Sequence, residues 1–138
     1  MSYKNLFFLE SGVETSTFQA RDYAVKQATM VNHSGEIGAK QIYLGQIKAI
    51  KSKNIPQKQD HVNKLIQMLE HEVKHYEYFK NCIESNINFK PSCFDVIWKS
   101  FSFYLGYCTA FCSIEIAMLL TKSVETIIEK HYSKFLNY

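Results

Sequence analysis

The sequence predicts an all-α protein, and two observations lead to that prediction. The 138 residues contain only two Pro and five Gly, so few positions interrupt a helix. Pro56 and Pro91 lie in the polar stretches 51–60 and 85–94, which are typical of loops, and the segments around these stretches carry apolar residues at helical spacing. Hydrophobic residues make up 46% of the chain and charged residues 21%, a balance that excludes a disordered chain.

The length predicts one domain. We expect residues 1–16 to form a flexible lead-in that ends at a helix N-cap near Ser16 and Thr17, and residues 17–138 to form a helical domain. The first residues combine one early Lys with a short apolar patch and then acids, a pattern of neither a signal peptide nor a transit peptide. The net charge of +3 is too small to predict nucleic-acid binding.

The first predicted helix runs from Phe18 to about Lys51. One face carries apolar or small residues interrupted by Asn and Glu, namely Val25, Ala28, Asn32, Glu36, Ala39, Tyr43, Ile47 and Ile50. The same helix contains Gly35, Gly38 and Gly45, each of which costs a helix about 1 kcal/mol relative to Ala. We therefore expect another helix to approach closely at these glycines.

A second helix is predicted to end near Glu84, and its inward stripe is Val62, Leu65, Leu69, Glu72, His75 and Phe79. Residues 95–136 contain no Pro and are expected to form one long helix that bends near Gly106. Within it, an apolar stripe of Phe111, Ile114, Met118 and Ile128 also includes Glu125.

Residues 100–121 carry a single charge, Glu115, and are long enough to be a candidate transmembrane span. Their hydroxyl groups and the mid-helix carboxylate favour a core helix, or a helix that lies against a membrane interface. Cys108 and Cys112 lie one turn apart in this segment, and we expect them to be reduced and packed in the core.

Glu72 and His75 form a Glu-x-x-His step, which places a carboxylate and an imidazole on one side of a helix. Such a pair is common by chance, so its place on an apolar stripe opposite Glu36 is what favours a metal site. His71 also completes an H-E-x-x-H pattern, as in zinc metalloproteases. A third zinc ligand at the usual spacing is lacking, which argues against a protease.

Four ordered segments resemble the demethoxyubiquinone hydroxylase family of ubiquinone biosynthesis, over the region from about residue 20 to the end. They are VNHSGEIGAKQIYLGQ (31–46), MLEHEVKHYEYF (68–79), KPSCFDVIW (90–98) and TAFCSIEIAMLLTKSVETIIEKHY (109–132). The resemblance implies a ferritin-like helical bundle with two iron ions bridged by carboxylates. It also implies O2-dependent hydroxylation of a polyprenyl demethoxyubiquinol ring by a peripheral membrane protein.

Matched by position, Glu36 corresponds to the lone ligand of the family's first helix, and Glu72 and His75 to the Glu-x-x-His of its second. Glu125 corresponds to the lone ligand of the third helix and is a bridging candidate. The resemblance implies no catalytic residue beyond these ligands. Asn32 and Ile37 depart from the Asp and the aromatic residue that are usual in the family, but neither change affects a ligand.

The family's second Glu-x-x-His has no counterpart here, because Glu129 is followed three places later by Tyr132. The last ligand-bearing helix is therefore expected to be missing, which leaves four of six ligands. Three alternatives stay open: a truncated inactive or split enzyme, a homo-oligomer whose two chains rebuild the site, and a non-catalytic membrane-associated protein of a ubiquinone-synthesis complex.

The resemblance and the absence of a targeting segment predict a location on the cytoplasmic face of a bacterial inner membrane. The apolar segment 94–121 is expected to meet the membrane and the polyprenyl tail. Lys48, Lys51 and Lys53 are candidates for contact with anionic headgroups, although a solvated helix end is the preferred explanation for them.

Overall fold

The computed structural model describes the backbone of residues 3–86 and 93–136, and the side chains of residues 23–85 and 95–133. Within these ranges the chain forms four helices and no strand: α1 (Tyr3–Ser52), α2 (Lys58–Asn86), α3 (Cys93–Cys112) and α4 (Ile114–Leu136). The all-α prediction is confirmed. Of the predicted second loop, 85–94, residues 87–92 lie outside the described part of the chain.

Helix α1 is the centre of the fold, and each of the other three helices packs against it. Helices α2 and α4 run antiparallel to α1, whereas α3 runs parallel to it. No close backbone contact joins α2 to α4 in the described ranges. Helices α2 and α4 therefore pack on α1 at separate places, and side chains such as Phe79 of α2 and Tyr132 of α4 lie between them.

The hydrophobic core lies where α1 meets the other helices. It is built from aliphatic and small side chains around one buried tyrosine: Ile42, Tyr43, Ile47, Ala49, Ile50, Val62, Leu65, Ala110 and Ala117. Most of the predicted inward stripe of α1 is buried as expected, but Val25 is exposed.

Two predicted helix boundaries are wrong. Helix α1 begins at Tyr3, and Ser16 and Thr17 lie inside it rather than at its N-cap, because no Pro or Gly cluster interrupts the chain there. The segment 95–136 is divided at Ser113, not bent at Gly106. The Ser113 hydroxyl accepts a hydrogen bond from the backbone N–H of Ile116 (3.1 Å) and so caps the start of α4.

The glycines of α1 have different explanations. A Cβ at Gly45 would overlap the carbonyl oxygen of Phe103, and a Cβ at Gly106 would overlap that of Ile42. The two backbones cross at this point, which only paired glycines permit. A Cβ at Gly38 would lie 3.2 Å from the ring of Trp98. The expected close approach of another helix is therefore confirmed at Gly38 and Gly45. At Gly35 there is room for a side chain, and nothing in the structure explains that glycine.

Candidate metal centre

Three of the four predicted site residues converge between α1 and α2. Glu36 projects from α1, and Glu72 and His75 project from one side of α2 because positions three apart share a helix face. One ligand atom from each of the three lies within 4.8 Å of the other two. Both carboxyl groups are buried, whereas the His75 side chain is 52% exposed.

The two buried carboxyl groups share one small polar space. Burial raises the pKa of Glu72 to about 9, and the adjacent carboxylate of Glu36 together with the charge of Glu125 adds to the effect. Without a cation to balance the charge, this shift favours the protonated form of Glu72. His75 Nδ1 lies 3.9 Å from Glu36 Oε1, too far for a hydrogen bond.

Two carboxyl oxygens in this cluster are buried and have no hydrogen-bond partner, Glu36 Oε2 and Glu72 Oε2. An unpaired buried oxygen of this kind costs folding free energy. A cation placed among the three side chains would satisfy both oxygens, and a set of carboxylate oxygens and an imidazole nitrogen suits iron, manganese and zinc. The residues present therefore fit a transition-metal ion.

Glu125, the fourth predicted residue, lies on α4 and is half-buried. It does not belong to the group of three, but it is near enough for its charge to raise the pKa of Glu72. Its Oε1 accepts a hydrogen bond of 2.5 Å from the hydroxyl of Tyr43 on α1. Tyr43 is fully buried, and burial followed by this hydrogen bond raises its pKa well above the ordinary range.

A second tyrosine closes the cluster from the α4 side. The hydroxyl of Tyr132 donates a hydrogen bond to Glu36 Oε1. Its ring stacks on Phe79 with centroids 5.7 Å apart and meets the edge of the His75 ring at 6.4 Å. Burial and the bond to Glu36 raise the pKa of Tyr132. This aromatic group covers part of the otherwise open side of the cluster.

Sequence reasoning missed both tyrosines as site residues. Tyr43 was assigned only to the core stripe, and Tyr132 was noted only because it interrupts a second Glu-x-x-His. A signal was present: Glu36 precedes Tyr43, and Glu125 precedes Tyr132, by the same spacing of two helical turns. His71, which completed the protease-like pattern, is exposed and lies outside the cluster.

A ring–ring contact and a cation–ring contact join α1 to α2 beside the cluster. His33 stacks on Tyr76, the residue after His75, with centroids 5.0 Å apart. The Lys40 ammonium lies 4.9 Å from the centroid of the same tyrosine ring. Burial lowers the pKa of His33, which favours the neutral ring at this contact.

Antiparallel helices that converge buried carboxylates and a histidine define the class of the protein, a helical bundle with a carboxylate–histidine cluster that fits a metal ion. The chain belongs to the family described as "Ubiquinone biosynthesis protein COQ7", whose model matches residues 23–138. This finding confirms the family resemblance and, with it, the ferritin-like character expected of the bundle.

Several curated proteins are similar to the chain. It is 32% identical over 110 residues to the NADPH-dependent 3-demethoxyubiquinone 3-hydroxylase, mitochondrial, of Dictyostelium discoideum, covering 79% of this chain and 47% of that protein. It is 32% identical over 104 residues to the 5-demethoxyubiquinone hydroxylase, mitochondrial, of Saccharomyces cerevisiae, covering 75% and 42%. The human relative matches over 111 residues at 32% identity, covering 80% and 48%.

The chain thus spans about half the length of the curated relatives it matches. No solved structure matches it. None of the helices in the described part of the chain has a stretch both long enough and apolar enough to cross a membrane.

Proposed function

We propose that the chain acts in the hydroxylation of a polyprenyl demethoxyubiquinol ring with O2, in ubiquinone biosynthesis. The observation that carries the proposal is the convergence of Glu36, Glu72 and His75, in a chain that belongs to the COQ7 family. One oxygen atom of O2 enters the ring, and the other leaves as water. The names of several relatives suggest NADPH as the source of the electrons.

Two iron ions are the proposed cofactor, with Glu36, Glu72, His75 and Glu125 as ligands. Iron held there supplies the O2 chemistry that amino-acid side chains lack. The protein's own part is to hold the iron ions and to orient their ligands. The buried carboxyl groups offer oxygens that have no other partner, while the Tyr132 and Phe79 rings restrict the access of water.

The outer surface of α3 supports the proposed membrane association. This helix buries its small residues, Ser102, Gly106 and Ala110, against α1. Its exposed residues form a stripe at helical spacing: Ile97, Phe101, Tyr104, Cys108 and Phe111. The expectation that Cys108 and Cys112 pack in the core is therefore wrong, because small residues are needed where α3 crosses α1. A solvent-facing apolar stripe marks a membrane or partner surface.

Two of the three lysines suggested for headgroup contact lie beside this stripe. Lys48 Nζ is 5.7 Å from the ring centroid of Phe103. Lys53 Nζ donates hydrogen bonds to the carbonyls of Ala110 (3.0 Å) and Phe111, so much of its role is to cap the end of α3. We propose that α3 lies on the headgroup region of a membrane, with the cytoplasmic face of a bacterial inner membrane as the predicted location.

An apolar cleft of about 480 Å³ lies between α1, α3 and α4, near the metal centre. Its lining includes Trp98 of α3, Gly35, which precedes Glu36 in the chain, and Ile128 and His131 of α4. Concave, mainly apolar clefts with a few polar groups are typical of small-molecule sites. We propose that the quinol approaches from the membrane through this cleft.

We propose that the remaining metal ligands are supplied from outside the chain at His75, about half of whose side chain is exposed. We propose a second copy of the chain as the partner, since each copy offers the same carboxylates and imidazole. In that case iron binding and dimer formation occur together, whereas a monomer that binds iron stoichiometrically contradicts the pairing.

The direct test of function is the replacement of the enzyme in cells that lack their own demethoxyubiquinone hydroxylase. Expression of the chain is expected to restore ubiquinone, measured by mass spectrometry, and Glu72→Gln is expected to abolish the restoration. A matched control is Glu84→Gln, on the same helix but exposed. If the unaltered chain is produced but restores no ubiquinone, the proposed activity is wrong and the non-catalytic binding role is favoured. If Glu72→Gln restores ubiquinone as well as the unaltered chain does, Glu72 is not an essential metal ligand.

A further inference from the structure

Helices α1 and α4 exchange a pair of hydrogen bonds that follows an approximate two-fold relation. Tyr43 of α1 donates to Glu125 of α4, and Tyr132 of α4 donates to Glu36 of α1. In each helix the tyrosine follows the glutamate by two helical turns, so both side chains lie on one face. Because the helices are antiparallel, the glutamate of each one lies opposite the tyrosine of the other.

Each phenol donates to one oxygen of its carboxylate. At Glu36, Oε1 accepts the bond from Tyr132, while Oε2 is buried without a partner beside Glu72 and His75. A carboxylate held at one oxygen cannot rotate freely, so its second oxygen keeps a fixed direction. At Glu125 the bond of 2.5 Å from Tyr43 restrains the carboxylate in the same manner.

From this geometry we propose that Tyr43 and Tyr132 are positioning residues for the metal centre, each holding the carboxylate ligand of the opposite helix. The proposal rests on the proposed function, since it assigns a role to the residues around the same centre. It differs from an ordinary packing role because only the hydroxyl groups are needed. The ring of Tyr132 packs on Phe79 and His75, and a Phe ring preserves that packing.

Replacement by Phe therefore separates the hydroxyl from the ring. We expect Tyr43→Phe and Tyr132→Phe each to weaken Co²⁺ binding by about 10–100-fold, the usual effect of losing a hydrogen bond to a metal ligand. The double variant is expected to bind more weakly than either single one, and the visible absorption spectrum of bound Co²⁺ is expected to change. Tyr23→Phe, an exposed position on α1, is the matched control and should bind Co²⁺ like the unaltered chain.

The outcomes are distinguishable. Failure of the unaltered chain to bind Co²⁺ overturns the proposed function. Normal Co²⁺ affinity and spectrum in both Phe variants overturns only the positioning role. A lower unfolding temperature of the metal-free variants, with unchanged Co²⁺ affinity, shows that the hydrogen bonds serve folding alone and also overturns it. If Tyr43→Phe does not fold, the half-buried Tyr132 decides the matter, because its hydroxyl lies at the edge of the cluster.

Discussion

The two sides of α1 are packed in different ways. Toward α3, Gly45 lets the neighbouring helix approach until the backbones touch, and Gly38 leaves room for the ring of Trp98. Toward α2 and α4, over the same turns, Glu36, Tyr43 and Gln46 are fully buried polar side chains. Burying unpaired carboxyl oxygens costs stability, whereas close backbone packing on the other side contributes dispersion contacts. The comparison indicates that close packing of α1 against α3 offsets the destabilising burial of polar side chains on the side of α1 that faces α2 and α4.

The largest effect on stability is expected where α1 contacts α3. Gly45→Ala places a methyl group against backbone atoms of Phe103 and Tyr107, which cannot move aside as a flexible side chain does. We expect it to lower the free energy of unfolding by about 3 kcal/mol or more, measured by urea unfolding of the metal-free protein.

Gly35→Ala is the matched control in the same helix. The nearest atom to its new methyl group is Ile128 Cγ1 at 4.0 Å, an ordinary contact. The higher helix propensity of Ala should then stabilise the protein by up to about 1 kcal/mol. Equal effects of the two substitutions would show that the backbones of α1 and α3 are not in contact.

Because of the buried carboxyl groups, the metal-free protein is expected to lose stability as the pH rises. The pKa of Glu72 is about 9 in the fold and 4.5 when unperturbed. The folded chain therefore retains a proton that the unfolded chain has lost. The stabilising contribution is complete below about pH 4.5 and disappears as the pH approaches about 9. Urea unfolding in the presence of a chelator, repeated across this range, measures the effect.

Glu72→Gln should remove this pH dependence and stabilise the metal-free protein by about 2 kcal/mol at neutral pH, since an amide needs no proton to stay neutral. The exposed Glu84→Gln serves as the control. The same pH dependence in Glu72→Gln as in the unaltered chain would mean that the buried carboxyl pair is not its source.

A smaller effect is expected where α1 and α4 meet away from the carboxylates. The Gln46 side-chain amide donates to the carbonyl of Ala117 (3.0 Å) and accepts from Thr121 Oγ1 (3.2 Å). Thr121→Val keeps the shape but leaves Gln46 Oε1 buried without a donor, which should cost about 1–2 kcal/mol. Thr126→Val removes an exposed hydroxyl that bonds within its own helix and should change stability by less than about 0.5 kcal/mol.

The smallest change in stability is expected on the outer face of α3. Phe101 is 58% exposed, so Phe101→Glu should alter unfolding by no more than about 0.5 kcal/mol. Its binding to vesicles that contain anionic lipid should nevertheless decrease, as measured by co-sedimentation. Tyr23→Glu, at an exposed position on α1, should leave vesicle binding unchanged. Equal binding by both variants would remove α3 as the membrane surface.

Much of the fold could be predicted because it depends on local signals. The scarcity of Pro and Gly indicates long helices, and Pro56 correctly separates α1 from α2. The break at Ser113 was not predictable from helix propensity, because Ser113 acts as a cap only when the chain reverses there to pack α4 on α1. The exposed stripe of α3 was equally hidden. An apolar helix usually buries its large residues, and only the crossing at Gly45 and Gly106 reverses that orientation.

The site was predictable where a ligand motif lies within one helix. Glu72 and His75 converge because their spacing alone places them on one face, and the opposing Glu36 follows from the apolar stripes. Tyr43 and Tyr132 depend on which helices are neighbours and on their antiparallel direction, and neither can be inferred from one segment. Glu125 as a metal ligand stays a prediction, since the structure bonds it to Tyr43.

Metal titration of the purified chain tests the central claim most directly. Under anaerobic conditions, Fe²⁺ should bind at the cluster of Glu36, Glu72 and His75 and raise the unfolding temperature. The variants Glu36→Gln and Glu72→Gln should bind Fe²⁺ at least about 100-fold more weakly, since each removes a ligand. Failure of the unaltered chain to bind Fe²⁺ would contradict a metal centre at this site. Binding of Fe²⁺ by both Gln variants as tightly as by the unaltered chain would contradict it as well.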